Sequence, residues 1–580
     1  MQCHSELSEE SVSKKALLEI PPNVGMMRSH CFMPAITNAI NYKMTKKTTL
    51  LTLLSALVMW LAWPPHNWLA PLLFVGLVPL LIAINNIKTN AGKKIGKKIF
   101  LTAGLCFLVW NTASIYWVFN SINAVNTGFV GTIVSLLVSL IPYGLGALLM
   151  TFAVWMYYRL STYTNKPIAY TGLIAFYISM EYLHQTWDLA FPWMTLGNGF
   201  AGMHQIVQWY EVTGVYGGSL WVLLSNILAF EAYQKIKNQK QYQLAGIWAL
   251  LIILPIGYSL YRYYNYEEKS VPVNVVTVQP NIDPYEKFGS ISANEQLNIL
   301  THLSDSVGQT NTEYFIWPET AIPNYADEER IRTNPDFLRA QQFLSKYKNG
   351  TLITGIESVR FYNDKKTLSA KVNPNGGYYD NYNAAMQVEN SANVAFYHKS
   401  KLVPGVEKMP FPKVFSFLGP VFSKLGGSVS GWGWQEEPGV FYAYSGIGVA
   451  PVICYESIWG DWIAGSVKQG AQFIAIITND GWWGNTSGKD QHLLYAKLRS
   501  IETRRYVVRS ANTGISGFIN QRGDVVQQSK WWTRTALKAD INLNDHITFY
   551  VKHGDVVAIV SAILALLAAG FIILKKWFLK

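Results

Sequence analysis

Eight apolar runs decide what this chain can fold into. Seven lie at about 48–64, 69–86, 99–118, 128–158, 167–183, 213–234 and 243–261, and an eighth at about 555–574. Most are close to the ~20 residues that a helix needs to cross a bilayer. The 128–158 run is longer and contains Pro142, so it reads as a kinked or strongly tilted helix. Charged residues make up only 14% of the chain, against about 25% in ordinary soluble domains. A hydrophobic share of 50% excludes a disordered chain.

Lysine placement gives the topology. Lys43, Lys46 and Lys47 precede the first run, and Lys88, Lys93, Lys94, Lys97 and Lys98 separate the second from the third. Arg159 and Lys166 follow the fourth, Lys235, Lys237 and Lys240 the sixth, and Lys575, Lys576 and Lys580 the last. The alternate loops 65–68, 119–127 and 184–204 hold no Lys or Arg. All basic clusters then fall on the cytoplasmic side. The expected architecture is a polytopic α-helical membrane bundle of about eight spans in the cell inner membrane. Residues 262–554 would lie on the periplasmic side. The net charge of +12 needs no nucleic acid to explain it.

The expected organisation has four parts: 1–43, a membrane domain at 44–261, one globular domain at 262–554, and a last span with its tail at 555–580. Residues 1–43 are polar and read as an upstream extension of the reading frame, with Met44 as the natural start. Residues 262–554 read as α/β. Short β-branched runs recur at 273–278, 351–354, 449–453, 473–478 and 506–509, with helical stretches at 294–307 and 334–347. No phosphate loop, strand-linked GxGxxG, HExxH or spaced His/Cys cluster occurs, so neither metal nor nucleotide cofactor is implied.

Three segments of the polar half could carry chemistry. Cys454 follows a short apolar strand in Ile453-Cys454-Tyr455-Glu456. It is alone among the four cysteines in 262–554, so it is either a buried hydrophobe or a nucleophile. Trp317-Pro318-Glu319-Thr320 ends another strand, where a carboxylate is either a cap or a general base. Tyr397-His398-Lys399-Ser400-Lys401-Leu402-Val403-Pro404, with Glu407 beyond, is either an exposed basic turn or a fixed charge for an oxyanion.

In chain order, Trp317-Pro318-Glu319, then Tyr397-x-Lys399-x-x-Leu402-x-Pro404, then Cys454-Tyr455-Glu456, the three segments resemble the carbon–nitrogen hydrolase (nitrilase) superfamily, whose signature is a Glu–Lys–Cys triad. Thr478-Asn479-Asp480-Gly481-Trp482-Trp483-Gly484 and Arg509-Ser510-Ala511-Asn512-Thr513-Gly514 resemble later parts of its pattern. Such a domain between the seventh and eighth of eight spans is similar to one branch, the apolipoprotein N-acyltransferases. Glu181 followed by Phe191-Pro192-Trp193 resembles that branch's membrane signature. Glu181 alone, an intramembrane acid, reads as a functional group or, in preference, as a structural hydrogen bond between helices. Two departures stand out: Pro404-Gly405-Val406-Glu407 replaces the common Pro-Phe-Gly-Glu, and Phe288 stands where many members have Trp.

The resemblance implies a nitrilase-like αββα sandwich and catalysis by Glu319, Lys399 and Cys454, with Lys399 favoured over Lys401 by the Tyr-x-Lys register. It implies acyl transfer from a phospholipid to the α-amine of a diacylglyceryl-cysteine on an apolipoprotein, through a Cys454 thioester, by a monomer. Glu407, Tyr455 and Glu456 are accessory candidates: the two acids would orient Lys399 or the amine, and an N–H near Tyr455 would hold the oxyanion. Residues 408–436 are rich in Phe and Gly and end on Trp432 and Trp434, which reads as a mobile apolar lid. Phe288, Trp432 and Trp434 are the substrate-binding candidates. The competing expectations are a membrane-tethered amidase or nitrilase, and a transporter carrying a binding module.

Overall fold

The apolar runs become helices because nothing in them can satisfy a backbone in lipid except the helix's own hydrogen bonds. The structure is a computed structural model, and it describes residues 44–578 apart from 91, 125–127, 288 and 413–430. The expectations for 1–43, for Phe288 and for most of the apolar loop lie outside the described residues.

Helices overlap all eight expected runs: Lys46–Leu61, Val78–Thr89, Ile95–Ser114, Gly128–Ser161, Lys166–Thr186, Tyr210–Gln239, Gln243–Asn265 and Val556–Phe578; the first half of the second run is instead the 3-10 segment Asn67–Phe74. Among the described residues, five segments are long and apolar enough to cross a membrane, or six if Ile95–Ser114 and Trp117–Asn123, bent by 62°, count as one. Lys46–Leu61 has 16 residues, about 24 Å of helix against a hydrocarbon core of about 30 Å. Lys166–Thr186 buries Glu181, His184 and Gln185. Gly128–Ser161 runs through Pro142 as one helix of 34 residues.

The 184–204 segment is not an exposed connection. It folds back as short 3-10 turns, Pro192–Met194 and Leu196–Val207, and residues 192–201 are buried. Glu181 makes this possible by accepting the Leu196 N–H at 2.7 Å. Gly197 lies so close to the Tyr210–Gln239 helix that a Cβ there would sit 1.9 Å from the Val215 carbonyl oxygen.

Two sheets form the polar half. The first takes β1 (Pro272–Gln279), β2 (Thr312–Ile316), β3 (Ile322–Asp327), β4 (Thr351–Tyr362), β5 (Lys371–Val372), β6 (Tyr378–Glu389) and β7 (Val394–His398). The second takes β8 (Phe441–Tyr442), β9 (Gly448–Ile453), β10 (Phe473–Thr478), β11 (Val507–Ala511), β12 (Gly517–Ile519) and β13 (Val525–Gln528). The chain then returns to the first sheet as β14 (Thr535–Asn542). The order is β14-β1-β2-β4-β6-β5 in the first sheet, with β3 beside β4 and β7 beside β6, and β13-β12-β11-β10-β9-β8 in the second.

Side chains alternate between the faces of a strand, and both faces here are apolar. Val273 and Val275 of β1 join Val449, Phe473 and Ala475 in the layer between the sheets. Val276 and Val278 pack instead with Leu297, Leu300 and Phe343 of the helices Ala293–Val307 and Pro335–Leu344. Ile474 and Ile476 of β10 face Ile463 and Ala496 of the helices Gly460–Lys468 and Ser487–Thr503. The result is helix, sheet, sheet, helix.

The Ser487–Thr503 helix is buried on both sides. Leu493 and Ala496 face the second sheet, while Tyr495, Leu498 and Ile501 belong to the core of the apolar helices. Gln491 locks the two together. Its amide donates to Pro64 O (2.8 Å) and Ser114 O (3.0 Å), and its carbonyl accepts from Trp117 Nε1 (3.1 Å) and Trp193 Nε1 (2.7 Å). Gln491→Leu strands two N–H groups and two carbonyls in a dry interface, at about 1–3 kcal/mol for each group left unsatisfied. A clear fall in melting temperature in detergent is the expected outcome; an unchanged value would show that the bridge is dispensable.

Candidate active site

The site collects at the carboxyl ends of strands from both sheets, where chain reversals leave side chains facing a common cleft. Glu319 lies three residues past β2, Lys399 directly follows β7, Cys454 directly follows β9, and Asp480 lies two residues past β10. Cys454 has φ +51, in the left-handed region that non-glycine residues rarely adopt. Its backbone is fixed from below. Ser457 Oγ donates to Cys454 O at 2.8 Å, and His492 Nε2 lies 3.2 Å from the same oxygen and 2.7 Å from Ser457 Oγ.

His492 is itself held by Asp480, whose Oδ1 is 3.0 Å from Nδ1, and Arg509 Nη2 donates to Asp480 Oδ2 at 2.6 Å. All three side chains are buried. Burial disfavours the Asp480 charge, yet Arg509 and His492 hold its carboxyl well below the usual range. Asp480 and Arg509 lie in the segments that carry the family resemblance, where nothing local signals their support for the Cys454 turn.

Lys399 is 1% exposed. Its Nζ donates to Glu407 Oε1 at 2.7 Å and to Glu319 Oε1 at 3.2 Å. Burial works against this ammonium, but Glu319 and Glu407 hold it well above the ordinary lysine value. Asn383 on β6 donates from Nδ2 to Glu319 Oε1 at 2.8 Å and to Glu407 Oε1 at 3.3 Å. Asn383 was not anticipated, because β6 is rich in Asn, Tyr and Asp and carries no β-branched run. Lys401 points elsewhere: its ammonium lies 4.1 Å from the Trp462 ring centre. Burial pushes the Cys454 thiol well above its ordinary value; the Glu319 charge adds to the rise and Lys399 opposes it.

The two accessory acids have different tasks. Glu407 touches Lys399 directly and accepts the Val403 N–H on its other oxygen at 2.8 Å. Glu456 is fully buried and holds backbone. One of its oxygens accepts from Tyr397 Oη (2.9 Å), Ser400 N (2.6 Å) and Lys401 N (3.3 Å), and the other from Ile453 N (2.8 Å). It thereby ties the Lys399 loop to the Cys454 turn. Tyr455 donates its hydroxyl to Ala190 O at 2.9 Å, in the apolar half.

The described ends of the 408–436 loop are anchored. Phe411 N and Lys408 Nζ donate to Asp188, at 3.0 and 3.5 Å. Trp432 N donates to Glu407 O at 3.1 Å, and the Trp432 ring stacks near Tyr325 at 6.2 Å. Trp434 is partly exposed.

Glu456→Gln keeps the shape and replaces one acceptor oxygen by a donor facing an N–H or an O–H. It should cost about 2–4 kcal/mol. The expected observation is a lowered melting temperature for Glu456→Gln; a melting temperature equal to that of wild type would contradict the assignment.

Comparison with known proteins shows the family. The family described as apolipoprotein N-acyltransferase N-terminal domain matches residues 55–228, and that described as carbon-nitrogen hydrolase matches 275–549. An apolipoprotein N-acyltransferase of Chlorobaculum tepidum is 30% identical over 542 residues, covering 91% of this chain and 97% of that one. One from Wigglesworthia glossinidia brevipalpis is 28% identical over 540 residues, covering 90% and 97%. Among solved structures, Saccharomyces cerevisiae Nit3 of the nitrilase superfamily aligns with 14% identity and a TM-score of 0.33, over 47% of this chain and 90% of that one. Nearly the whole length of a 30%-identical relative is matched, and the chain belongs to the apolipoprotein N-acyltransferase family.

Proposed function

We propose that this membrane-bound N-acyltransferase moves an acyl chain from a phospholipid to the α-amine of a diacylglyceryl-cysteine at the N-terminus of an apolipoprotein, by way of a thioester on Cys454. The observation that carries the mechanism is the buried Lys399 ammonium, paired to Glu319 and Glu407 beside a thiol that burial keeps protonated.

A protonated thiol needs a base within the site. Glu319 takes the Cys454 proton as sulfur attacks the ester carbon. The C–S bond forms, the ester C–O bond breaks, and Glu319 returns the proton to the leaving lysophospholipid alkoxide. In the second half, Glu319 takes a proton from the incoming ammonium-derived amine as nitrogen attacks the thioester. The C–N bond forms, the C–S bond breaks, and the thiolate recovers the proton. Lys399 faces the oxyanion of both tetrahedral intermediates, with the backbone N–H near Tyr455 as a further donor.

Transfer rather than hydrolysis needs water kept away from the thioester. In this reading the apolar 408–436 segment is that cover; its described ends bond to Asp188 of the apolar half through Lys408 and Phe411 and carry Trp432 and Trp434. Both substrates carry long chains, and a site joined to the bilayer avoids extracting them at about 0.8 kcal/mol per CH₂. We place the site on the periplasmic face of the inner membrane, on the lysine asymmetry of the loops.

Intact-protein mass spectrometry tests the two steps. Wild type incubated with phospholipid should gain one acyl chain on Cys454, and lose it as a diacylated lipopeptide gains an amide. Cys454→Ala should show neither. Glu319→Gln should slow acylation by about 10²–10⁴-fold, and Lys399→Met by about 10²–10³-fold. Free fatty acid without acylated lipopeptide would mean a hydrolase instead.

The thiol supplies a second test. Because its protonated form is favoured in the fold, iodoacetamide labelling of Cys454 should still be climbing above about pH 8.5, where an ordinary free thiol is half ionised. A plateau reached near neutral pH would mean a resting thiolate, and Glu319 would lose its first task.

A further inference from the structure

A second buried ammonium lies behind the base, and the mechanism above gives it no task. Lys287 is 2% exposed. Gln296 Nε2 donates to its backbone carbonyl at 2.7 Å, fixing the turn that carries it. Its Nζ donates to the Glu319 backbone oxygen at 3.1 Å and to Thr320 Oγ1 at 2.7 Å.

The residue it grips is strained. Thr320 has φ +50, a conformation that is an outlier for a β-branched residue and persists only where the surroundings enforce it. Enforcement comes from two sides. On one side is Lys287. On the other, Gly355 of β4 donates its N–H to Pro318 O at 3.2 Å, and a Cβ at Gly355 would sit 2.3 Å from Thr320 N. The backbone on either side of Glu319 is therefore clamped.

Volume alone does not explain a lysine here. Methionine would fill similar space without the several kcal/mol that desolvating an ammonium costs. The charged groups facing Lys287 are Glu319 and Glu357. Among the described residues, those facing Glu319 are Lys287, Glu357, Lys399 and Cys454, with Glu407 joined to it through Lys399 and Asn383; burial raises the Glu357 carboxyl to about 7.

We propose that Lys287 is a positioning residue for the general base: it holds the Glu319–Thr320 turn in its strained shape and places a second positive charge behind Glu319 that favours the ionised carboxylate. This rests on Glu319 acting as base toward Cys454. Burial lowers the Lys287 ammonium to about 8, with Glu319 and Glu357 opposing, so the group is charged on the acid side of that value.

The test separates acylation of Cys454 from the identity of the natural donor. Full-length protein in detergent is given a p-nitrophenyl ester, and the burst of nitrophenolate is followed against pH. Lys287→Met should lower the burst rate by about 10–100-fold, the scale expected from a misplaced group, and move the acid limb to higher pH. Lys287→Arg, which keeps the charge, should leave the limb in place. Thr320→Val removes one grip and no charge, so it should slow the burst without moving the limb. With phospholipid and lipopeptide, Lys287→Met should lower kcat and leave the KM for phospholipid unchanged. A folded Lys287→Met with wild-type rate and limb overturns the proposal. If that variant does not fold, a wild-type burst in Thr320→Val overturns it instead. No burst at Cys454 in wild type would remove the base and the proposal together. A normal burst that responds as described, without transfer to lipopeptide, would leave Lys287 its role and remove the acyl-transfer reading.

Discussion

A buried lysine between two carboxylates sets the terms for the rest of the molecule. Removing an ammonium from water costs several kcal/mol unless partners meet it with good geometry. Lys399 has such partners at 2.7 and 3.2 Å, and they come from different parts of the chain: Glu319 after β2 and Glu407 from the loop beyond β7. Asn383 on β6 binds both acids and stops them from drifting apart. The first sheet must therefore be in register before the charge can be buried. The cluster carries a net charge of −1 with the thiol protonated. In the proposed first step that proton moves to Glu319 and the net charge stays at −1, so no new uncompensated charge arises in a low-dielectric site.

Strain marks both groups to which the proposed reaction gives the first proton transfer. Cys454 itself, and Thr320 immediately after Glu319, hold left-handed φ values of +51 and +50. Neither residue adopts this cheaply. Each is over-determined by hydrogen bonds that the reaction does not consume. Ser457 and His492 hold the Cys454 carbonyl, while Lys287 and the close approach of Gly355 hold the Glu319–Thr320 turn. Cys454 and Glu319 sit on opposite sheets, and Glu456 spans the gap by binding N–H groups of both the Lys399 loop and the Cys454 turn. A fixed cleft at the sheet ends follows from these anchors.

Much of this was legible in the sequence, for identifiable reasons. Strands such as β1 and β10 are buried on both faces, so they read as continuous β-branched runs. The apolar helices announce themselves by length, and the Glu, Lys and Cys lie in short motifs at strand ends. Other features had no local signal. β6 is full of Asn, Tyr and Asp and is stabilised by twelve residues of pairing with β4, which no window of sequence reveals. The 184–204 segment reads only as a connection without Lys or Arg. It is buried because Glu181 satisfies a backbone N–H and because Gly197 permits contact with a neighbouring helix. Glu456 looked like a partner for the Lys399 ammonium, whereas its hydrogen bonds run to backbone N–H groups and the Tyr397 hydroxyl. Sequence shows which groups carry charge, and only the fold shows which donors meet it.

The join between the two halves explains why the chemistry belongs to a protein of this architecture. Gln491 and His492 are adjacent on one helix. Gln491 is bonded to Pro64, Ser114, Trp117 and Trp193 of the apolar half, while His492 lies against the carbonyl of Cys454. Tyr455, next to the nucleophile, reaches Ala190 on the same side. Two independent links thus fix the thiol relative to the apolar helices, within one or two residues of the reacting atom. Phe191 and Trp193, in the segment that shares the membrane signature, stack with each other, and Phe191 stacks with Tyr455. A tethered hydrolase would need only an anchor and a flexible linker. An enzyme whose donor and acceptor both remain in lipid needs its thiol at a set depth. The helix bearing Gln491 and His492 provides that by joining the nucleophile's turn to the bundle through a rigid element instead of a loop.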